Sequence, residues 1–136
     1  MLDLRIEATK TTPFVMIDSD AGEIEIKGKS TPESAINFYF PLIEKVKKLF
    51  DDKTSVTVNI ALEYFNTSSS KCVFDLFRTL KKMEAEGKEV LINWHYEEDD
   101  EDMLETGEDY EDILQLKFNY IVMEDLDFEM RPALVA

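Results

Sequence analysis

The sequence has very few of the side chains on which most catalytic and metal centres depend. Among its 136 residues there is one cysteine, Cys72, and one histidine, His95. A single thiol excludes an internal disulfide and a cysteine-ligated zinc site, which fits a reducing compartment. The sequence also lacks a G-x-S-x-G elbow, a phosphate-binding glycine loop and an H-E-x-x-H pair, so the common hydrolase, nucleotide-binding and metalloprotease signatures are missing.

Basic residues are also scarce. The chain has 15 lysines and arginines against 30 acidic residues, and its formal net charge is −15. Such a surface repels nucleic-acid phosphates and anionic lipid head groups, so we expect neither nucleic acid nor membrane among the partners. The N-terminus does not resemble a signal peptide, and no apolar run reaches membrane-spanning length. We therefore expect a soluble cytoplasmic protein.

The apolar content is sufficient for one domain. Apolar residues make up 44% of the chain, which can build a core at this length, and no linker or internal repeat divides the sequence. We expect a single domain over residues 1–136. The tail from about residue 124 is poorly patterned, so we expect it to be loosely ordered.

Apolar periodicity predicts the element order β-β-β-α-β-α-β-α-β. The clearest strand contains Val56 to Tyr64. The first helix is predicted to begin at Ser30-Thr31-Pro32-Glu33, and Pro41 to kink it or delay its start. Its predicted buried stripe includes Ile36, Phe40, Ile43, Val46 and Phe50. The alternation of strands and helices implies right-handed crossovers and an α/β fold, in which helices pack against a partly parallel sheet.

A hydroxyl-rich turn, Asn66-Thr67-Ser68-Ser69-Ser70, lies between the clearest strand and the second helix, whose predicted end is Gly87. The turn places oxygen atoms where a helix leaves its first amides unpaired, so at least one of its residues should be a cap. A phosphoryl group here would add about −1.5 to −2 charges at a helix N-terminus, where the dipole tolerates an anion. The residues alone leave both roles open.

His95 and the acidic run Glu97–Asp112 offer a competing interpretation. The histidine lies in an apolar strand and is either a hydrogen-bonded structural residue or a catalytic one. If His95 acts together with carboxylates from the run, the protein is a small enzyme or a divalent-cation-binding protein. This is the alternative function. The run contains eleven acids and no base, but it lacks the ligand and glycine spacing of an EF-hand loop. Its apolar residues recur at helical intervals, which favours an acidic loop leading into a helix.

Cys72 is predicted to lie in the first turn of the second helix. A thiol there either fills space as a small packing residue or has a lowered pKa and is reactive. No other sequence feature supports a thiol mechanism.

Several separated motifs resemble the SiaC family of bacterial regulatory phosphoproteins, which are related in fold to the STAS domains of anti-anti-sigma factors. The motifs are Thr12-Pro13, Gly28-Lys29-Ser30-Thr31-Pro32-Glu33, Asn66-Thr67-Ser68-Ser69, Trp94-His95-Tyr96, Glu98-Asp99-Asp100-Glu101-Asp102-Met103 and Gly107-Glu108-Asp109. The resemblance covers nearly the whole chain. It implies a STAS-like α/β fold with a mixed β-sheet, and a regulatory protein without catalytic residues, metal or cofactor.

The resemblance also implies a modification site and partners. Phosphorylation is expected on the threonine of the Asn-Thr-Ser-Ser motif, Thr67, with Ser68 and Ser69 as secondary acceptors or caps. A cognate serine/threonine kinase would add the phosphate, and a PP2C-type phosphatase would remove it. The phosphorylation state would then control binding of a target, such as the diguanylate cyclase of the best-known relatives, which connects the family to cyclic-di-GMP and biofilm regulation. The expected partner-binding residues are Asn66, Thr67, Ser68, Ser69, Ser70 and Lys71.

Overall fold

The computed structural model describes residues 2–123, which form a six-stranded mixed sheet and three helices. The strands are β1 (Leu4–Ile6), β2 (Phe14–Asp18), β3 (Glu23–Ser30), β4 (Ser55–Phe65), β5 (Glu89–Glu97) and β6 (Phe118–Met123). The helices are α1 (Ala35–Leu49), α2 (Thr67–Ala85) and α3 (Glu101–Leu114). The predicted element order is confirmed. The predicted loose tail lies outside the described residues.

The strands occupy the sheet in the same order as in the chain, from β1 to β6. The first three pair antiparallel, and the pairs β3–β4, β4–β5 and β5–β6 are parallel. Parallel neighbours need a crossover connection, and the three helices provide one each. The carboxyl ends of β3, β4 and β5 therefore meet at one edge of the sheet, and the helix N-termini follow at that same edge.

One apolar core lies between the sheet and the three helices. Alternate residues of the central strands point into it, as expected from the two-residue period of a strand. In β4 these are Val56, Val58, Ile60 and Leu62, all buried. The alternation does not continue to Tyr64, which is 58% exposed. The register of β4 against β3 shifts between Leu62 and Tyr64, and Phe65 then takes the inward position, with its ring 6.5 Å from that of Trp94.

Helix α1 begins later than predicted. Its N-cap is Ser34, whose side chain accepts a hydrogen bond from the Asn37 amide at 3.3 Å. Ser30, the first residue of the predicted start, instead ends β3 and is fully buried. The prediction was wrong because two serines four residues apart both precede the helical pattern, and only the packing of the preceding strand decides between them. The helix is continuous through Pro41, so a late restart does not occur.

The predicted buried stripe of α1 was also partly wrong. Ile36 and Phe40 are 68% and 60% exposed, although both fit the helical period. The residues that face the core are Ala35, Tyr39, Leu42, Ile43 and Val46. Apolar residues occur on both flanks of this helix, so periodicity alone does not determine which flank packs against the sheet.

The two later helices follow their predictions closely. Helix α2 ends at Ala85, and Gly87 has the positive φ of 104° expected just past a helix end. The acidic run forms α3 with Asp100 as its N-cap, and its inward residues Met103, Tyr110 and Leu114 are buried. Within residues 2–123, no helix combines the length and the apolar character that crossing a bilayer requires.

Candidate functional site

The hydroxyl-rich turn starts α2 directly after β4. Asn66 is the N-cap predicted for this turn, and its side-chain oxygen accepts the Ser69 amide at 2.9 Å. The Asn66 amide donates to the carbonyl of Ser30 at 3.0 Å. The start of α2 is therefore attached to the end of β3, the neighbouring strand.

The four hydroxyls of the turn have different environments. Thr67 and Ser68 are exposed, Ser70 is half-buried, and Ser69 is fully buried. The Ser68 hydroxyl donates to the side-chain oxygen of Asn66 at 3.3 Å. Of the three predicted acceptors, Thr67 and Ser68 are thus open to another protein, whereas the Ser69 hydroxyl faces the interior.

The buried Ser69 belongs to a chain of hydroxyls that joins three elements. Ser30 of β3 donates to the Ser69 Oγ at 2.9 Å and forms a 2.6 Å bond with the hydroxyl of Tyr39 on α1. Burial raises the pKa of Tyr39 to about 12, although its bond to Ser30 lowers it in part, so the phenol stays neutral. These bonds fix the first turn of α2 against β3 and α1.

Tyr110 makes the corresponding connection to α3. Its hydroxyl donates to the Ser70 carbonyl at 2.9 Å and forms a second, short bond with the Ser70 Oγ. Burial raises the pKa of Tyr110, against the lowering effect of the Ser70 bond. One tyrosine therefore satisfies two polar atoms of Ser70 and holds α3 beside the N-terminus of α2.

Thr67 lies at the edge of a pocket of about 350 Å³ between α2 and α3, which we call the α2–α3 pocket. Its lining residues are Glu63, Tyr64, Phe65, Asn66, Thr67, Ser70, Asp100, Asp102, Met103 and Thr106. Three of these are carboxylates, and none is a lysine or arginine. The pocket offers an accessible hydroxyl in acidic surroundings, but no histidine that would activate that hydroxyl as a nucleophile.

Trp94 of β5 supports the α3 side of this pocket. Its indole N–H donates to the Met103 carbonyl at 3.0 Å, and its ring lies directly under Gly107. A Cβ added to Gly107 would be 2.8 Å from the indole nitrogen, which is closer than real contacts allow. The glycine of the predicted Gly107-Glu108-Asp109 motif is therefore required for the close seating of α3 on Trp94.

The residues of the predicted segment are all near this pocket, but sequence reasoning missed its other side. Glu63 and Tyr64 are exposed at its rim, as expected for surface neighbours, and the exposed Lys71 lines an adjoining pocket. Asp100, Asp102, Met103 and Thr106 come from the N-cap and first turns of α3, more than 30 positions after Asn66. The signals for them were the acidic run and the resemblance motif Glu98–Met103, neither of which was assigned to the site.

His95 does not join this site. Adjacent residues of a strand point to opposite faces, and its neighbour Trp94 points into the core beneath α3. The buried His95 therefore points to the other face of the sheet, away from the carboxylates of α3, which make up most of the acidic run Glu97–Asp112 in the enzyme alternative. The described part of the chain contains no group of three or more histidine, cysteine, aspartate or glutamate side chains that could hold a metal ion.

Cys72 packs against the core of the molecule. It is 7% exposed, and burial raises the pKa of its thiol, with Asp75 adding to the effect. The alternative of a lowered pKa is therefore wrong: Cys72 is the sixth residue of α2, beyond its predicted place in the first turn, and burial disfavours the charged thiolate. The thiol acts as a small packing residue.

Comparisons with known proteins agree with this fold. The family model of the SiaC family regulatory phosphoprotein matches residues 6–123. An uncharacterized protein of Pseudomonas aeruginosa is 30% identical over 119 residues, which is 87% of this chain and 94% of that protein. The crystal structure of apo-SiaC from Pseudomonas aeruginosa superposes with a TM-score of 0.81 and 28% identity over 90% of this chain and 100% of its own.

A second solved structure from the same organism shows a relative with a partner. It contains the diguanylate cyclase SiaD in complex with its activator SiaC, and a chain of it matches 89% of this chain and 100% of its own at 28% identity with a TM-score of 0.83. The matched residues 6–123 include the whole α2–α3 pocket. The chain belongs to the SiaC family of regulatory phosphoproteins.

Proposed function

We propose that this chain is a phosphorylation-controlled binding protein whose acceptor is Thr67. A serine/threonine kinase adds the phosphate, a PP2C-type phosphatase removes it, and the phosphorylation state decides whether a target is bound. The observation that carries the proposal is the contrast among the hydroxyls: Thr67 is exposed at the first position of α2, whereas Ser69 is fully buried. Ser68 is the other accessible hydroxyl and remains the secondary candidate.

The position of Thr67 suits a reversible charge. A phosphate there adds about −1.5 to −2 charges next to the N-terminus of α2, where the helix dipole partly offsets them. The residues behind Thr67 are held by the Asn66 cap and by the Ser69–Ser30–Tyr39 hydroxyl chain. The modification therefore adds charge at the surface without removing a bond that holds the first turn of α2.

We infer that the target is a diguanylate cyclase, because the SiaC of one matched structure is bound to such an enzyme as its activator. The segment Asn66–Lys71 and the rim of the α2–α3 pocket form the surface we assign to partner contact. The protein then acts as one regulatory domain in the cytoplasm, where a kinase has access to ATP, and it adjusts cyclic-di-GMP production without catalysing a reaction itself.

The acceptor is tested with purified cognate kinase and two matched variants. Thr67→Ala should abolish phosphate incorporation, because the accessible hydroxyl at the first position of α2 is removed. Ser68→Ala, one residue further along the same turn, should be phosphorylated to the wild-type stoichiometry. Intact-mass measurement and fragmentation give the stoichiometry and the position of the phosphate. Continued incorporation at normal stoichiometry in Thr67→Ala would contradict the assignment.

The binding part of the proposal needs a separate measurement. Phosphorylated and unphosphorylated protein, each with its stoichiometry checked by mass, are titrated against the purified diguanylate cyclase by calorimetry. The affinities should differ by at least about tenfold, which is the effect of 1.4 kcal/mol on an equilibrium. Equal affinities of the two forms would show that the phosphate does not control this partner.

A further inference from the structure

We propose that a phosphate on Thr67 displaces the first turn of α3, and that Trp94 is the buried residue from which this turn separates. The inference rests on Thr67 being the acceptor. It adds the step by which one exposed phosphate changes the shape of the pocket next to it.

The first step is electrostatic. A phosphate on Thr67 enters a pocket that already contains the carboxylates of Glu63, Asp100 and Asp102, with no basic side chain among the lining residues. Lys71 follows in the sequence but lines the adjoining pocket with Ser70. Like charges that share a partly enclosed site repel each other more strongly than charges in open water. The phosphate therefore favours an arrangement in which the carboxylates move away.

The two sides of the pocket are not equally firm. The first turn of α2 is bonded to β3 through Asn66 and Ser30, and to α1 through Ser69, Ser30 and Tyr39. The first turn of α3 is held by its cap, the Asp100 carboxylate that accepts the Met103 amide at 3.0 Å, and by the contacts of Met103 with Trp94 and the core. The chain entering α3 consists of six consecutive acids, residues 97–102, which already repel one another. The α3 side is therefore the side that yields.

Trp94 connects this movement to the core. Its indole N–H donates to the Met103 carbonyl in the first turn of α3, and the ring is 1% exposed. Further along the helix, Gly107 and Tyr110 stay packed on the same ring, with the Trp94 and Tyr110 centroids 5.8 Å apart. A displaced first turn takes the carbonyl away from the indole while the second half of α3 remains seated. The α2–α3 pocket then opens at its Asp100 end.

The test uses the full chain with phosphothreonine placed at position 67 by genetic encoding, so that it does not depend on a kinase. Trp94 is the only tryptophan of the chain, so the tryptophan emission comes from this one ring and reports on its surroundings. We expect a red-shifted emission maximum in the phosphorylated protein. Hydrogen exchange of the amides of residues 103–106 should also become roughly fivefold faster, the factor that corresponds to the loss of one helix cap.

Two variants identify the cause. Asp100→Asn with Asp102→Asn removes two charges from the pocket and keeps a residue that can cap α3, since asparagine caps as well as aspartate. In this variant the phosphate should cause less than half of the wild-type change. Glu108→Gln with Asp109→Asn removes two charges from exposed positions of the same helix that lie outside the pocket. This control should respond like the wild type.

Each result decides the question. A fully phosphorylated protein with unchanged emission and unchanged exchange overturns the proposal, even if Thr67 is the acceptor. An equal response in the two double variants also overturns it, because the pocket carboxylates would not be the cause. If the kinase adds phosphate at a position other than 67, the proposed acceptor is overturned. The measurement on the encoded phosphothreonine still shows whether a phosphate at position 67 displaces α3.

Discussion

The N-termini of α2 and α3 line the same pocket but differ in the charge of their capping and first-turn residues. Each must satisfy amides that have no partner within the helix. Helix α2 uses the neutral Asn66 and follows it with four neutral residues, whereas α3 uses the charged Asp100 and begins with Glu101 and Asp102. The N-terminus of α2 has no charge of its own and can accept the negative charge of a phosphate. The N-terminus of α3 is already negative, so a phosphate on α2 would repel it.

The two ends also differ in how they are braced. The first turn of α2 is connected to β3 and α1 by side-chain hydroxyls, so its position is independent of salt and of pH near neutrality. Helix α3 depends on the fit between Gly107 and Trp94 for its seating and on the Asp100 carboxylate for its first turn. The proposed function places the modified residue, Thr67, on the firmly held side of the pocket and the responding helix on the other, which is the arrangement that a switch requires.

The largest expected loss of stability comes from disrupting the contact between Gly107 of α3 and the Trp94 ring. Gly107→Val places a branched side chain where even a Cβ would be 2.8 Å from the Trp94 ring, and should lower the free energy of unfolding by about 3 kcal/mol. Glu105→Val, an exposed site on the same helix, should cost less than about 0.5 kcal/mol. Urea unfolding followed by far-ultraviolet circular dichroism gives both values. Equal losses would mean that the branched residue disfavours the helix itself.

The Ser69–Ser30–Tyr39 hydroxyl chain should lose its stabilising effect at alkaline pH. The pKa of Tyr39 is raised to about 12 in the folded protein, against about 10 in an unfolded chain. A raised pKa stabilises the fold fully below pH 10, and this contribution is lost as the pH rises from 10 towards 12. By pH 11 the loss is about 1 kcal/mol.

The measurement is the free energy of unfolding between pH 9 and pH 11 for the wild type and for Tyr39→Phe. The variant loses the bond to Ser30 at every pH, but its decline with pH should be about 1 kcal/mol smaller by pH 11. Parallel profiles for the two proteins would show that Tyr39 does not limit alkaline stability.

The smallest effect compares the two caps directly. Asn66→Ala should cost about 1 kcal/mol, a usual value for a lost N-cap. Asp100→Ala loses a similar bond but also removes one of six consecutive acids, so at about 10 mM salt it should cost roughly half as much. In about 1 M NaCl, where repulsion is screened, the two losses should converge. A larger loss for Asp100→Ala at low salt would reverse the comparison.

Local signals predicted much of the fold. The element order, the end of α2 before Gly87 and the helix within the acidic run all follow from periodicity and turn residues close in sequence. The start of α1 did not, because Ser30 and Ser34 are equally good caps until β3 is known to extend through Ser30. Ile36 and Phe40 fit the helical period and are nevertheless exposed, since the sequence does not tell which flank the sheet covers.

The site was predictable on one side only. The hydroxyl turn, its cap and the Asn66-Thr67-Ser68-Ser69 motif of the resemblance all lie within a few residues of Thr67. The burial of Ser69 could not be predicted, because it depends on Ser30 and Tyr39, which are 39 and 30 positions away in the chain and meet it only through the packing of α1 beside α2. The acidic wall of the pocket depends similarly on the crossover that returns α3 to the edge where β4 ends.

The sequential order of the strands has a consequence for synthesis. Every strand from β2 to β6 pairs with the strand that precedes it in the chain, so the sheet can grow by one neighbour at a time as the chain leaves the ribosome, N-terminal part first. Thr67 emerges early in this sequence, whereas Tyr110 and Asp100, which complete its surroundings, emerge later. A nascent chain thus displays the hydroxyl of the proposed acceptor before it displays the finished pocket, and a kinase that recognised both would act only on the completed protein.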